Sequence, residues 1–132
     1  MVTLIDSSVF IAAERGQIEL ENIDFGDDAT LAASAVAAAE ILHGIHRTTN
    51  PQRRATREAI IEGFLGRVLV LPFDLPAARV HARISADLAR QGVTVGAHDL
   101  LIAATALSVG GRVATRDLRS FPRIPGLEIL AC

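Results

Sequence analysis

Short apolar runs alternate with longer stretches of helical period along this chain. Val2 to Ile5, Thr30 to Ala33, Arg67 to Leu71, Arg112 to Thr115 and Glu128 to Leu130 read as strands. The first and third are continuous apolar runs, as expected of a sheet covered on both faces. Between them the period lengthens. Asp6 is placed to cap a helix from Ser7 to Arg15, and Ser34 to cap a second with a stripe of Ala35, Ala38, Leu42 and Ile45. Pro51 opens a third, with Ile60, Ile61, Phe64 and Leu65 inward and Arg53, Arg54 and Arg57 outward. Asp74 caps a fourth, with Pro76 in its first turn, Ala77, Val80, Ile84 and Leu88 as its stripe, and Gly92 as its stop. Ala97 to Val109 is apolar all round, which predicts an enclosed central helix. Strands alternating with helices predict a single α/β domain over residues 1–132, a three-layer α/β/α sandwich around a short, mainly parallel sheet.

Composition narrows the chemistry. The 13 basic residues are all arginine, and the chain holds no lysine, tryptophan or tyrosine. Schiff-base chemistry and a phosphate-loop lysine are thereby excluded. The single cysteine, Cys132, excludes an internal disulfide framework and a cysteine zinc cluster, and a cytoplasmic setting is expected. No apolar run approaches the ~20 residues of a membrane span. The opening Met1-Val2-Thr3-Leu4-Ile5-Asp6 lacks the basic start of a signal peptide. A net charge of −2 offers no global attraction to nucleic acid.

Four acids fall where strands end and helices begin, the places where parallel α/β sheets collect chemistry. Asp6 follows the first strand, Glu40 lies in the second helix, Asp99 in the first turn of the apolar helix, and Asp117 just past the fourth strand. Each has a plain alternative: Asp6 as an N-cap, Asp99 as a partner of its helix dipole, Asp117 as a turn residue, Glu40 as a pair for Arg47. Gathered at one partly buried place, carboxylates repel, and a divalent cation resolves that cost. An all-oxygen set suits Mg²⁺ or Mn²⁺, which typically keep waters able to attack a phosphate. Ser7, Ser8 and Thr115 stand beside the acids as candidates to orient that water or a phosphate oxygen, or as local cap donors. An aspartyl-phosphate phosphatase built on Asp6 is rejected, because position 8 is serine and no lysine is present.

Four motifs in order carry a resemblance. They are Leu4-Ile5-Asp6-Ser7-Ser8, Ala39-Glu40-Ile41-Leu42-His43-Gly44, the run from Gly96-Ala97-His98-Asp99 to Ala106, and Ala114-Thr115-Arg116-Asp117-Leu118-Arg119-Ser120-Phe121. With Ile124-Pro125-Gly126-Leu127 they span nearly the whole chain, which resembles the PIN-domain family and, within it, the VapC-type toxins of toxin–antitoxin pairs. The resemblance implies a Mg²⁺- or Mn²⁺-dependent endoribonuclease with Asp6, Glu40, Asp99 and Asp117 as its catalytic, metal-holding acids. Asp117 stands where many such toxins have asparagine, and Ser120 where they have an acid. The resemblance further implies a homodimer, silenced by a VapB-type antitoxin, that acts on RNA (transfer RNA or another structured RNA) and meets DNA only through the antitoxin. Ile41 and Ile61 are candidates for an apolar docking face, or else complete the monomer core or the dimer seam. Arg112, Arg116 and Arg119 flank the last acid and are the expected phosphate contacts. The competing expectation is a catalytically weak or inactive module that acts through antitoxin binding and repression.

Overall fold

A computed structural model describes residues 1–132. Five strands form one sheet: β1 Val2–Ile5, β2 Thr30–Ser34, β3 Leu69–Leu71, β4 Arg112–Thr115 and β5 Ile129–Ala131. Their spatial order is β3-β2-β1-β4-β5, and every adjacent pair is parallel. The register sets Leu4 beside Ala32 and Val113.

Five helices cover the sheet: α1 Ser7–Glu14, α2 Ala35–His46, α3 Pro51–Leu65, α4 Leu75–Gln91 and α5 Ala97–Ser108. Ser34, Asp74 and Gly92 act as the caps that the sequence predicts. Ser34 accepts from the Val36 N–H, Asp74 from the Ala77 N–H, and Gly92 closes α4 at φ 68°. Asn50 caps α3 through the Arg53 N–H, with Pro51 next to it.

Alternation along each strand divides the core. Leu4, Ala32 and Val113 face one side, with Ile84 of α4 and Ile102, Ala103 and Ala106 of α5. Ile5 and Ala33 face the other, with Val9 and Phe10 of α1, Ile41 and Ile45 of α2 and Ile61 of α3. Successive strand side chains point to opposite faces, so two-residue strand segments feed both layers. The result is the expected three-layer sandwich, with a sheet that is parallel throughout.

Four details differ from the sequence expectation. β3 is an edge strand, and Leu69 and Val70 are 56% and 46% exposed, so its apolar run is not covered on both faces. The stripe of α2 is Ala37, Ala38, Ile41 and Ile45, because the helix turns Ala35 outward. Ile41 and Ile61 are thus core residues and form no docking face, while Ile60 points out. Arg57 also turns inward. It pairs with Glu14 and donates to the Gly44 carbonyl at 3.3 Å and Thr48 Oγ1 at 2.8 Å, tying α1, α2 and α3 together.

Candidate functional site

The strand order reverses at β1, which lies between β2 and β4. In parallel α/β sheets this reversal opens a crevice at the carboxyl ends of the strands. Asp6 occupies that point. Its backbone N–H still bonds the Ala114 carbonyl at 2.9 Å, and α1 begins at the next residue. The residue is 3% exposed. Its Oδ2 accepts from Ser8 Oγ at 2.7 Å, Thr115 Oγ1 at 2.9 Å and the Ser8 N–H at 3.4 Å. Asp6 therefore is the N-cap of α1, and it is also a buried carboxylate held from α1 by Ser8 and from β4 by Thr115. Hydrogen bonds to a charged acceptor contribute about 1.5–3 kcal/mol each.

The two hydroxyls connect Asp6 to the loop after β4. Thr115 Oγ1 accepts from the Asp117 N–H at 2.9 Å, and Ser8 Oγ accepts from the Arg116 N–H at 3.1 Å. Thr115 is fully buried, so its hydroxyl serves Asp6 and the Asp117 backbone. Ser7 Oγ lies 3.5 Å from Asp6 Oδ1 and remains partly accessible. Asp117 Oδ1 accepts from the Arg119 N–H at 2.9 Å and the Ser120 N–H at 3.4 Å, a turn-forming arrangement.

Glu40 enters from the middle of α2. Its Oε2 lies 3.2 Å from His98 Nδ1, and its Oε1 is buried without a hydrogen-bond partner. Asp99 enters from the first turn of α5. Burial, above all, holds its carboxyl above the ordinary carboxylate range. A hydrogen bond from the Ser120 side chain pulls it back, and the charges of Asp6, Asp117 and Glu40 push it up again. The other three acids thus lie within electrostatic reach of Asp99.

A cation suits this donor set. A buried, unpartnered carboxylate oxygen is costly, and so is crowding three negative groups around Asp99. A hard divalent ion relieves both through oxygen ligands. No three His, Cys, Asp or Glu side chains converge tightly enough to grip one ion as they stand, so the fit lies in the donors and not in a preformed cage.

The arginines separate into tied and free. Arg112 donates to Thr3 Oγ1 at 3.0 Å and the Phe25 carbonyl at 2.6 Å, and lies 3.7 Å from Glu128. Only 17% of its side chain is exposed, so Arg112 braces the sheet and is no free phosphate contact. Arg116 and Arg119 are exposed and line a hollow with Ser8, Asp117 and Leu118. Cys132 is half-buried, and burial pushes its thiol up, which leaves it a poor nucleophile.

One site residue was given no role by the sequence, His98 beside Glu40, while Ser120, which stands at the acid position of the last motif, acts on Asp99. His98 adjoins Asp99 in sequence, and that adjacency was the available signal. Ser8 is more deeply engaged than an ordinary cap donor, since it bonds both Asp6 and Arg116.

Comparison with known proteins finds matches along nearly the whole chain. The family profile of the PIN domain matches residues 3–127. Ribonuclease VapC1 of Rickettsia felis is 37% identical over 130 residues, covering 98% of this chain and 96% of that protein. The tRNA(fMet)-specific endonuclease VapC of Salmonella typhimurium is 41% identical over 96 residues, 73% of this chain and 70% of that one. The crystal structure of DNA-bound VapBC from Salmonella typhimurium superposes with a TM-score of 0.86 at 32% identity, covering 99% of this chain and 98% of that chain.

Proposed function

The chain belongs to the PIN-domain family, among its VapC-type members, and from that premise we propose that it is a divalent-metal-dependent endoribonuclease, the toxin of a toxin–antitoxin pair. The observation that carries this reading is the buried Asp6 at the reversal point of the sheet, with Glu40, Asp117 and Asp6 all loading charge onto Asp99. Asp6, Glu40, Asp99 and Asp117 are the residues that would hold the ion, Mg²⁺ or Mn²⁺. When bound, such an ion supplies an activated water for in-line attack on the phosphodiester and offsets the charge that develops on the phosphate oxygens.

The protein's own groups do the remaining work. Ser8 and Thr115 fix the Asp6 carboxylate through its Oδ2 and leave Oδ1 to its looser contact with Ser7. Ser7 is the accessible hydroxyl for orienting water or a phosphate oxygen. The Ser120 side chain favours the charged form of Asp99. Arg116 and Arg119, exposed beside Asp117, offer planar forks to the RNA backbone. Their local charge matters because the whole chain is net negative.

The partners follow from the same premise. One solved relative is a VapBC complex on DNA; for this chain we infer a homodimer bound by a VapB-type antitoxin, with DNA reached only through the antitoxin. RNA is the substrate, and a transfer RNA is favoured by the relative that carries that specificity in its name. A cytoplasmic setting accords with the lone, unpaired Cys132.

The test replaces Asp6 or Asp99 with asparagine, which keeps the shape and, at position 6, the helix cap. Freed of antitoxin, the wild type should cut RNA only with added Mg²⁺ or Mn²⁺. Each variant should lose that cleavage while keeping a folded far-UV spectrum. Metal-dependent cleavage that survives in both variants would sink the assignment. A wild type that binds antitoxin but cuts no RNA would return the regulatory-module reading.

A further inference from the structure

Beside the acids lies a hollow of about 500 Å³, lined by Ala35, Val36, Ala39, Glu40, His43 and His98. That volume falls within the ~300–1,000 Å³ of small-molecule sites. Its floor is the outward face of α2, where Ala35, Ala39 and His43 recur at four-residue spacing. None of the floor side chains other than His43 and Glu40 is longer than valine, so a flat group can approach the helix closely. A second hollow of about 330 Å³, lined by Glu40, Gly96, Ala97, His98 and Asp99, adjoins it through the shared Glu40 and His98.

Single-stranded RNA is read largely by stacking its bases on aromatic side chains, histidine among them. This chain has no tryptophan or tyrosine and only five phenylalanines. Phe10 and Phe121 are buried, Phe25 and Phe64 pack against the core, and Phe73 stands edge-on to His81 at 5.9 Å. The aromatic faces left beside the acids are those of His43, which is exposed, and His98, whose side chain is 61% exposed.

We propose that the hollow bounded by Ala35, Ala39, His43 and His98 is a nucleobase subsite, which takes one unstacked base of the RNA while its phosphate sits beside Asp99. The inference rests on the ribonuclease reading and adds the means by which one nucleotide is gripped. His98 stands at the junction of the two hollows, so it borders both base and phosphate. His43 borders the base alone. Selectivity for particular nucleotides near the cut would then lie in α2, outside the acid cluster.

The test needs no catalysis. Metal-free protein in EDTA is labelled at histidine, and its four imidazole signals (His43, His46, His81 and His98) are followed by NMR at fixed pH. The four ribonucleoside 5′-monophosphates are titrated in, with ribose 5-phosphate in parallel. At least one nucleotide should move the His43 and His98 signals saturably, with His46 and His81 still and ribose 5-phosphate without effect on His43. Ala39→Leu, which fills the floor, should weaken that binding by about fivefold or more, the lower bound for losing one base stack. Equal shifts with ribose 5-phosphate would overturn the subsite, as would a His43 signal that moves on dilution alone because a second copy covers it. RNA cleavage with Mg²⁺ is assayed on the same preparation. Cleavage with an unresponsive His43 overturns the subsite and spares the nuclease; a responsive His43 without cleavage does the reverse.

Discussion

Asp99 is held above the ordinary carboxylate range by burial and by three neighbouring acids, and the sign of that shift has a measurable consequence. Between the ordinary value and the raised one, the native state binds more protons than the unfolded chain. Stability from this group is therefore present at acid pH and is lost as pH rises through the raised value. Metal-free Asp99→Asn should melt higher than the wild type at neutral pH and no higher at a pH below the ordinary carboxylate range. Added Mg²⁺ should stabilise the wild type more than the variant. Equal melting temperatures at neutral pH would show that Asp99 bears no such strain. Asp6 teaches a related lesson: capping α1 and holding charge in the crevice looked like rival roles in sequence, yet one carboxylate serves both. The oxygen that caps is the one gripped by Ser8 and Thr115.

Among the elements, caps and stripes were largely legible because they depend on near neighbours. Ser34, Asp74 and Gly92 bound their helices through contacts within four residues, and Asn50 does the same for α3 although only Pro51 was legible there. Burial by a distant element was not legible. The α2 stripe shifted by a fraction of a turn because α3 and α1 claim Ile41 and Ile45, and Arg57 turned inward for Glu14, 43 residues away in sequence. Two glycines make the contrast testable. A Cβ at Gly111, at the start of β4, would stand 2.6 Å from the Val2 carbonyl oxygen, a backbone atom of β1. Gly111→Ala should cost about 1–3 kcal/mol, as overpacking does. Gly63 lies inside α3 with nothing within 4 Å of its Cβ position, and Gly63→Ala should gain about 0.5–1 kcal/mol from helix propensity. Denaturant midpoints moving in opposite directions are the expected result; a shift of the same sign in both would contradict these placements.

At the scale of the whole molecule, a net charge of −2 must still admit a polyanion. The free arginines beside Asp117 are the means, and ionic strength reports on them. If Arg116 and Arg119 each meet one phosphate, replacing both with alanine should flatten the slope of log affinity against log salt by about 0.7 per contact for a single strand. Arg112→Ala should instead lower the denaturation midpoint and leave that slope in place, because its guanidinium is bound to Thr3, Phe25 and Glu128. Filter binding of RNA in EDTA across a salt series distinguishes them. An Arg112 variant that flattens the slope as much as the pair would reverse the assignment. From the sequence alone came the alternation of strands and helices, most of the caps and the four acids, since period, propensity and motif spacing are written in local order. The tertiary structure decided the rest: that β1 sits at the reversal of the sheet, that β3 is an edge, that Arg112 is tied while Arg116 and Arg119 are free, and that His98 faces Glu40. Those outcomes turn on which distant segments compete for the same buried volume and the same hydrogen-bond partners, and no local pattern records that competition.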